Sequence, residues 1–164
     1  MSEAAAAEVF TIRRWSDADR PDELLALVHG AFGALAIDPP SSALKETVGD
    51  IAARTRIQTV LIAEARGRLV GSLFCVREAD ALYVNRLAVA ADWRRHGIGR
   101  ALMEAACAEA RRVGAPRLTL RVRIALADNV AFFRRLGFVV AAEETHAGFA
   151  APTSYVMALE LRSA

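Results

Sequence analysis

The loop Arg94-Arg95-His96-Gly97-Ile98-Gly99-Arg100, together with the segments on either side of it, constrains the fold of this chain most. Before the loop, Leu82–Val89 is a mainly apolar run with an aromatic and β-branched residues, which predicts a β-strand. After it, apolar residues recur at helical spacing, which predicts a helix that opens at Gly97 or Ile98 and ends at Val113. The chain is therefore expected to pass from strand to helix through a short glycine-rich loop.

This loop has the composition of a phosphate-binding site. Where a helix begins, several backbone N–H groups lack a helical acceptor, and the helix dipole adds partial positive charge. Gly97 and Gly99 have no Cβ, so a phosphate can approach the backbone closely. Arg94, Arg95 and Arg100 can add charge-assisted hydrogen bonds. Taken alone, the short pattern is equally compatible with an ordinary helix start that contains two glycines.

The spacing excludes two common phosphate-binding motifs. A P-loop requires lysine and then serine or threonine after its last glycine, whereas Arg100 and Ala101 follow Gly99 here. The dinucleotide-binding fingerprint requires a third glycine at the position of Leu102. The ligand must therefore be sought among other phosphate compounds.

Length and composition predict one domain. The 164 residues, 54% of them hydrophobic, suffice for one core and are too few for two ordinary domains. We expect a single domain over residues 1–164, in which residues 1–8 form an alanine-rich flexible tail. The formal net charge of +2 and the absence of aromatic residues among the loop arginines argue against a nucleic-acid partner.

The two cysteines and the apolar runs indicate the compartment. Cys75 and Cys107 lie within apolar segments without metal-ligand spacing, so we expect core residues, a reducing environment and no metal site. No apolar run approaches the length that spans a membrane, and Met1–Glu8 lacks the basic start of a secretion signal. We expect a cytoplasmic protein without a membrane partner.

The remaining elements follow from periodicity and breakers. A first helix is expected from Pro21 through Leu35, ended by Asp38-Pro39-Pro40, and a second after Ser41 or Ser42, with Leu44, Val48, Ile51 and Ala52 along one face. A short helix over Asn129–Leu136 is expected to close at Gly137. The other predicted strands are Val9–Arg13, the hairpin of Thr59–Ala65 and Leu69–Val76, Arg117–Val122, Val139–Ala142 and Ser154–Leu161.

The resulting order, βααβββαβαββ, resembles that of the GCN5-related N-acetyltransferase (GNAT) family over nearly the whole chain. Arg94, Gly97 and Gly99 occupy the three defined positions of that family's pyrophosphate-binding motif, directly after a strand that ends in Leu-Ala-Val. Leu136-Gly137-Phe138 is similar to a second family signature. The resemblance implies an α+β fold in α/β/α layers, with a mixed, mostly antiparallel sheet of about seven strands and helices on both faces.

The resemblance also implies acetyl-CoA as the acetyl donor. Backbone groups of the strand that ends at Val89 would bind the pantetheine arm, and the loop N–H groups would bind the pyrophosphate. Asn129 would contact the pantetheine, or would merely cap its helix, and Phe133 would pack against the thioester. The implied donor-binding residues are Leu87, Ala88, Val89, Arg94, Arg95, His96, Gly97, Ile98, Gly99, Arg100, Asn129 and Phe133.

The chain departs from the family pattern at the catalytic positions. Phe133 stands where many members carry a proton-donating tyrosine, Asn85 where many carry a glutamate, and Leu126 where many carry an asparagine. Asn85 can orient a water or substrate but is not a base. His146 is the candidate base, since histidine has an unperturbed pKa of about 6.5, and Tyr155 is the candidate hydroxyl donor.

Three functions therefore stay open from the sequence. The first is an N-acetyltransferase acting on a small-molecule or peptide amine, in which Pro21–Thr55 and Thr145–Thr153 form a partly apolar acceptor pocket. The second is a coenzyme A-binding sensor that has lost catalysis, and the third is a nucleic-acid-binding protein. Members of the family are often dimers, so the resemblance allows a homodimer, and the sequence leaves the oligomeric state open.

Overall fold

The computed structural model describes residues 9–162, which form a seven-stranded sheet and four α-helices. The strands are β1 (Thr11–Arg14), β2 (Thr59–Ala65), β3 (Arg68–Arg77), β4 (Leu82–Val89), β5 (Arg117–Arg123), β6 (Val139–Glu144) and β7 (Ser154–Glu160). The helices are α1 (Pro21–Gly33), α2 (Val48–Ile57), α3 (Ile98–Arg112) and α4 (Ala127–Arg135). The element order predicted from the sequence is confirmed. The predicted tail over residues 1–8 lies outside the described residues.

The sheet has the order β1-β2-β3-β4-β5-β7-β6, and only the β4–β5 pair is parallel. That parallel ladder consists of two pairs, Leu82 with Leu118 and Tyr83 with Thr119. Beyond Tyr83, β4 has no partner on β5, whereas β5 pairs with β7 along its whole length. A gap therefore opens between β4 and β5 toward their carboxyl ends.

Helices cover both faces of the sheet and define two cores. On one face, α3 and α4 bury a large cluster that includes Ile98, Leu102 and Phe133. On the other face, α1 and α2 bury a smaller cluster that includes Leu24 and Ile51. Because side chains alternate between faces along a strand except at a bulge, the regularly paired residues of β4 and β5 can be assigned to the α3/α4 face or to the α1/α2 face.

Helix α3 packs directly against the backbone of β3 at Gly71, which has no side chain. A Cβ placed there would stand 2.7 Å from Ile98 Cγ2, 3.1 Å from Ala63 Cβ and 3.2 Å from Leu102 Cδ1. The Ile98 methyl is attached directly to its own Cβ, so it cannot swing away without a shift of the first turn of α3. Gly71 thereby fixes the height of that turn above the sheet.

We expect Gly71→Ala to lower the free energy of unfolding by about 1–3 kcal/mol, because overpacking displaces neighbouring groups. The displaced groups include the first turn of α3, so ligand affinity at that turn should fall as well. Gly30→Ala is the control, since a Cβ there would meet nothing within 4 Å. Urea denaturation measures both variants, and equal stability of Gly71→Ala and the wild type would contradict the packing argument.

The predicted start of the second helix, directly after Ser41 or Ser42, is wrong. Ser41 caps only a 3₁₀ turn over Ser42–Lys45, where its side chain accepts a hydrogen bond from Ala43 N. Helix α2 has its own start at Thr47, whose hydroxyl accepts from Asp50 N while the Asp50 carboxylate accepts from Thr47 N. This reciprocal pair is a capping box, which uses aspartate in place of the usual glutamate.

Other predicted boundaries and faces also need correction. Leu44 and Val48 are predicted to lie on the buried face of one helix, but they are 38% and 44% exposed. The 3₁₀ turn interrupts the helix between them, so they do not share a helical face. Helix α1 ends at Gly33, so Leu35 lies outside it. Helix α4 begins at Ala127 rather than Asn129, because its N-cap is Leu126, which gives no sequence signal for a helix start.

Candidate functional site

The loop before α3 curls its backbone around one point. Arg95 and Gly97 both have positive φ values, 63° and 81°, separated by a single residue. Alternation between left-handed and ordinary backbone turns successive N–H groups toward the same side and forms an anion-binding concavity. No atom of residues 9–162 lies within 4 Å of the position that a Gly97 Cβ would take, so this side of the loop is open in the part of the chain that the structure describes.

The first turn of α3 continues this concavity. The first helical hydrogen bond runs from Ala101 N to Gly97 O at 3.0 Å. The N–H groups of Ile98, Gly99 and Arg100 therefore precede the helical ladder and point out of the N-terminus. The Ile98 side chain is 1% exposed, which anchors this turn on the sheet.

Basic side chains surround the loop and remain in solvent. Arg94 and Arg95 are exposed and make no ion pair with any residue in the 9–162 range. Arg100 pairs with Glu104 at 3.1 Å, with both side chains about two-thirds exposed. His96 turns back on its own loop, where its Nδ1 lies 2.8 Å from the Arg94 carbonyl. The loop thus presents two exposed guanidinium groups and backbone donors to an anion.

The carboxyl end of β4 leads from the β4–β5 gap to this loop. Leu87 and Val89 contact the core on the α3/α4 face, whereas Ala88 is buried in the core on the α1/α2 face. Their backbone groups on the β5 side have no strand partner in the structure as described. A ligand of extended shape can pair with this edge as an added strand does.

Helix α4 borders the same region through Phe132, which sequence analysis did not single out. A Cβ on Gly99 would lie 3.4 Å from Phe132 Cζ, so the ring covers the start of α3. Phe133 is buried instead, in edge-to-face contact with Phe132 and Phe138 at centroid distances of 5.2 and 5.9 Å. Asn129 is exposed in the first turn of α4, and its reading as a helix cap is wrong because the N-cap is Leu126.

The structure places two of the candidate catalytic residues on opposite faces of the sheet. Asn85 pairs with Phe74, whose side chain belongs to the α1/α2 core, so Asn85 faces that side. Tyr155 pairs with Val122 and contacts the α3/α4 core. The two side chains therefore lie on different faces of the sheet, and Tyr155 lies on β7, one strand beyond the β4–β5 gap.

His146, the third candidate, is held in the loop between β6 and β7. Its Nδ1 forms a short hydrogen bond with Thr153 Oγ1, which also accepts from His146 N at 3.0 Å. The Thr153 hydroxyl has the Glu144 carbonyl as an acceptor at 3.4 Å. If the hydroxyl proton goes to that carbonyl, Nδ1 must donate, and the lone pair of a neutral imidazole is on Nε2.

The pKa values of three side chains bear on the chemistry that the chain can carry out. Arg68 donates to Asp92 just before the loop and holds the pKa of that carboxyl below its ordinary value. Burial lowers the pKa of Arg123 at the end of β5. Burial raises the pKa of Cys75 to about 12, which makes this core thiol a poor nucleophile. Among the residues that the structure describes, no group of three potential ligands could hold a metal ion, and no helix could cross a membrane.

The fold is that of the acetyltransferases. The ribosomal-protein-S18-alanine N-acetyltransferase from Escherichia coli has a TM-score of 0.75 and 22% identity, over 95% of this chain and 96% of that chain. The PaiA N-acetyltransferase from Thermoplasma acidophilum, in complex with coenzyme A, has a TM-score of 0.79 and 17% identity, over 93% and 99%. A GNAT family acetyltransferase from Elizabethkingia anophelis with acetyl-CoA bound has a TM-score of 0.67 and 16% identity, over 93% and 98%.

The chain belongs to the Acetyltransferase (GNAT) family, whose sequence model matches residues 21–138. The matched segment contains β4, the glycine-rich loop and α3. No curated protein has significant sequence similarity to the chain. Acetyl-CoA-dependent N-acetylation is the general kind of reaction of this family. The family resemblance and the α+β fold predicted from the sequence are therefore confirmed.

Proposed function

We propose that this protein transfers the acetyl group of acetyl-CoA to a primary amine by direct attack in a ternary complex. The amine nitrogen attacks the thioester carbonyl carbon, the N–C bond forms, the C–S bond breaks, and the amine proton leaves to a base while the thiolate takes up a proton. The observation that carries this proposal is the juxtaposition of the β4–β5 gap with the concave loop at the start of α3.

The residues at this juxtaposition fit the donor. The pyrophosphate would be held by the N–H groups of the loop and first turn of α3, with the charges of Arg94 and Arg95 close by. The pantetheine amides would pair with the backbone of Leu87 and Val89 in the gap. Phe132 and Phe133 would border the arm from α4, with Asn129 at the helix start. The donor supplies the activated acetyl group, and the chain supplies the alignment.

Catalysis makes two demands on the chain. An amine with a pKa of about 10.4 is protonated at pH 7, so removing its proton to form the nucleophile costs about 4 to 5 kcal/mol. A base must take up that proton, and a hydrogen-bond donor must polarise the carbonyl. The Val89 N–H would serve as that donor. A thiol with a pKa of about 8.5 leaves without strong acid assistance, and alignment alone contributes on the order of 7 kcal/mol.

His146 is the proposed base, because a Thr153 hydroxyl that donates to the Glu144 carbonyl would accept from Nδ1 and leave the free lone pair of the imidazole on Nε2. Asn85 would orient the amine or a water from the α1/α2 face. Tyr155 would donate to the leaving thiolate from the opposite face. This division is consistent with the two side chains lying on different faces of the sheet.

A panel experiment tests the proposal. The protein is incubated with acetyl-CoA and a panel of small amines, amino acids, polyamines and peptides, and released thiol is measured with a colorimetric reagent. Calorimetry with acetyl-CoA is run in parallel. Thiol release that requires an amine supports the proposal, and the absence of any acetyl-CoA binding overturns it.

Phe133 and Asn85 favour one second candidate, a coenzyme A-binding sensor without catalysis. Neither side chain can act as the acid or base that many family members carry at these positions. Tight acetyl-CoA binding without thiol release for any amine would identify the sensor. Consumption of polycationic acceptors alone would contradict the expected partly apolar acceptor pocket.

We expect His146→Gln to lower kcat by about 100-fold or more, the range for removal of a general base. Thr153→Val should lower kcat by about 10-fold, because it removes the group that fixes the imidazole tautomer. Thr145→Val is the matched control, with the same change at an exposed position of the same loop. A kcat for His146→Gln within twofold of the wild-type value would exclude His146 as the base.

A further inference from the structure

We propose that Arg86 and Arg123 are positioning residues that fasten one segment, residues 34–47, across the α1/α2 side of the β4–β5 gap. This segment, the connector, joins α1 to α2. One arginine comes from each strand that borders the gap. The inference rests on the proposed function, because the connector would form the wall against which the acceptor amine lies.

Arg86 reaches the connector because β4 is bulged at this point. Ser72 pairs with Ala88 and Phe74 with Asn85, so two residues of β4 stand opposite one residue of β3. Arg86 has a φ of 55°, a left-handed conformation that is uncommon for arginine. A bulge of this kind redirects a side chain out of the ordinary alternation. Here it turns the guanidinium toward α1 and α2.

The guanidinium of Arg86 binds two side chains of the connector. Its Nη2 donates to Glu46 Oε1 at 2.8 Å and to Ser42 Oγ at 3.2 Å, and its Nε donates to the same Glu46 oxygen at 3.2 Å. Arg54 of α2 adds a contact to Glu46 Oε1 at 2.8 Å. The side chains of Arg86 and Glu46 are only 16% and 9% exposed, so solvent screens this pair weakly.

Glu46 depends on these contacts. Its second oxygen, Oε2, is buried and accepts no hydrogen bond in the part of the chain that the structure describes. A buried carboxylate whose guanidinium partner is lost is costly, because its charge is then poorly compensated. The connector is therefore bound firmly to β4 at this point.

Arg123 makes the corresponding attachment from β5. It donates through Nη1 to the Asp38 carbonyl at 3.3 Å, and through Nη2 to the Pro39 carbonyl in a short hydrogen bond. Arg123 is the last residue of β5, at the end of the strand farthest from the Tyr83–Thr119 pair. The two arginines thus hold the connector from both borders of the gap, at the end where the gap is open.

The two attachments connect the binding of coenzyme A to the position of the connector. Arg86 directly precedes Leu87, whose backbone is proposed to pair with pantetheine, so a donor that fixes the borders of the gap also fixes the attachment points of the connector. Hydrogen exchange of the connector amides should therefore slow when coenzyme A binds. Variants that release one attachment should lose this response while keeping coenzyme A affinity.

The test is hydrogen exchange of residues 34–47, followed by mass spectrometry, with and without saturating coenzyme A. Arg123→Gln is the principal variant, because within residues 9–162 the hydrogen bonds of the Arg123 side chain go to backbone carbonyls, so its loss leaves no buried carboxylate without its partner. Arg86→Gln is the second variant. Arg117→Gln is the matched control. It removes an arginine with two ion pairs, to Asp80 and Glu160, from the paired end of the same strand.

We expect coenzyme A to slow hydrogen exchange of the connector amides in the wild type and in Arg117→Gln. In Arg123→Gln, the connector amides should exchange about tenfold faster than in the wild type, as expected for the loss of hydrogen bonds to a charged group. Coenzyme A should not slow their exchange in this variant. The KM of Arg123→Gln for an acceptor amine from the panel should rise, whereas its KM for acetyl-CoA should stay within twofold of the wild-type value. Arg123→Lys, which keeps the positive charge, should have an acceptor KM between those of Arg123→Gln and the wild type. Coenzyme A that binds without slowing connector exchange, or an equal response in Arg123→Gln, overturns the inference. A wild-type protein that does not bind coenzyme A overturns the proposed function instead.

Discussion

In the Gly97→Asp variant, we expect the affinity for coenzyme A to fall by about 100-fold or more, whereas Gly97→Asn retains most of the affinity. Gly97 has a φ of 81°, and aspartate and asparagine are the side chains that tolerate this left-handed region best. A Cβ at this position would meet nothing within 4 Å, so both side chains fit the free protein. The two variants differ in charge but hardly in shape.

The loss follows from electrostatics at one point. A carboxylate at the start of α3 faces the site proposed for the pyrophosphate, and two like charges 4 Å apart repel by about 4 kcal/mol at an effective dielectric constant near 20. Even part of that repulsion exceeds the 2.7 kcal/mol or so that corresponds to a 100-fold change. The same carboxylate interacts favourably with the helix dipole, so stability should not fall.

Calorimetric titration with coenzyme A measures the two affinities, and thermal unfolding without ligand checks the fold. Coenzyme A should raise the melting temperature of the wild type and of Gly97→Asn, but not that of Gly97→Asp. Equal affinities of the aspartate and asparagine variants would show that the phosphate groups do not bind at this loop, and would remove the main support for the proposed donor site.

The sequence predicted the central part of the fold because strong local signals coincide there. The glycines at positions 97 and 99 lie between a clear strand and an amphipathic helix, and Gly114 ends that helix in a left-handed conformation with a φ of 72°. The hairpin of β2 and β3 turns at Arg66 and Gly67, both with positive φ. Each of these features depends on a few neighbouring residues, which is why single-sequence reasoning found them.

The connector could not be predicted, since its conformation depends on residues far away in the chain. Arg86 binds Ser42 in the 3₁₀ turn of the connector and Glu46 just after that turn, and Arg86 lies 40 residues after Glu46 in the chain. The bulge that directs Arg86 leaves no pattern in the local sequence. Spacing alone therefore predicted one continuous helix where the chain forms two short elements.

The loop residues of the proposed donor site could be predicted from the sequence better than the positions of the candidate catalytic residues, because only the former are close together in the chain. The loop residues of the proposed donor site are consecutive, so their proximity follows from local geometry. Asn85, His146 and Tyr155 come from three separate elements, and sequence gives no information on which face each occupies. The placement of Asn85 and Tyr155 on opposite faces follows from the strand register, which is a property of the whole sheet.

A large loss of folding stability is expected when Glu109 of α3 loses its two arginine partners. Its carboxylate is 4% exposed, forms a short ion pair with Arg14 of the edge strand β1, and accepts from Arg112 at 2.8 and 3.0 Å. The Arg112 hydrogen bonds, aided by the charges of Arg14 and Arg112, hold the pKa of Glu109 below its ordinary value despite burial. A group with a lowered pKa stabilises the fold above its unfolded pKa, near 4.3 for glutamate.

We therefore expect Arg14→Ala/Arg112→Ala to lower the free energy of unfolding at pH 7 by about 3 kcal/mol or more, as when a buried carboxylate is left unpaired. The pKa of Glu109 then rises, so the deficit should shrink as the pH falls toward 4 and the carboxyl takes up a proton. Arg68→Ala is the control: its partner Asp92 is exposed, and an exposed ion pair contributes little, so this variant should keep nearly the wild-type stability.

Adding Glu109→Gln to the double variant separates charge from packing. Glutamine keeps nearly the volume of glutamate but carries no charge, so it should restore most of the stability at pH 7 and abolish the pH dependence of the deficit. Urea denaturation of the four proteins between pH 4 and 8 makes this comparison. If the deficit is the same at every pH and glutamine restores nothing, the arginines stabilise α3 and β1 by packing of their aliphatic stems, and the buried charge of Glu109 is not what holds the edge strand to the helix.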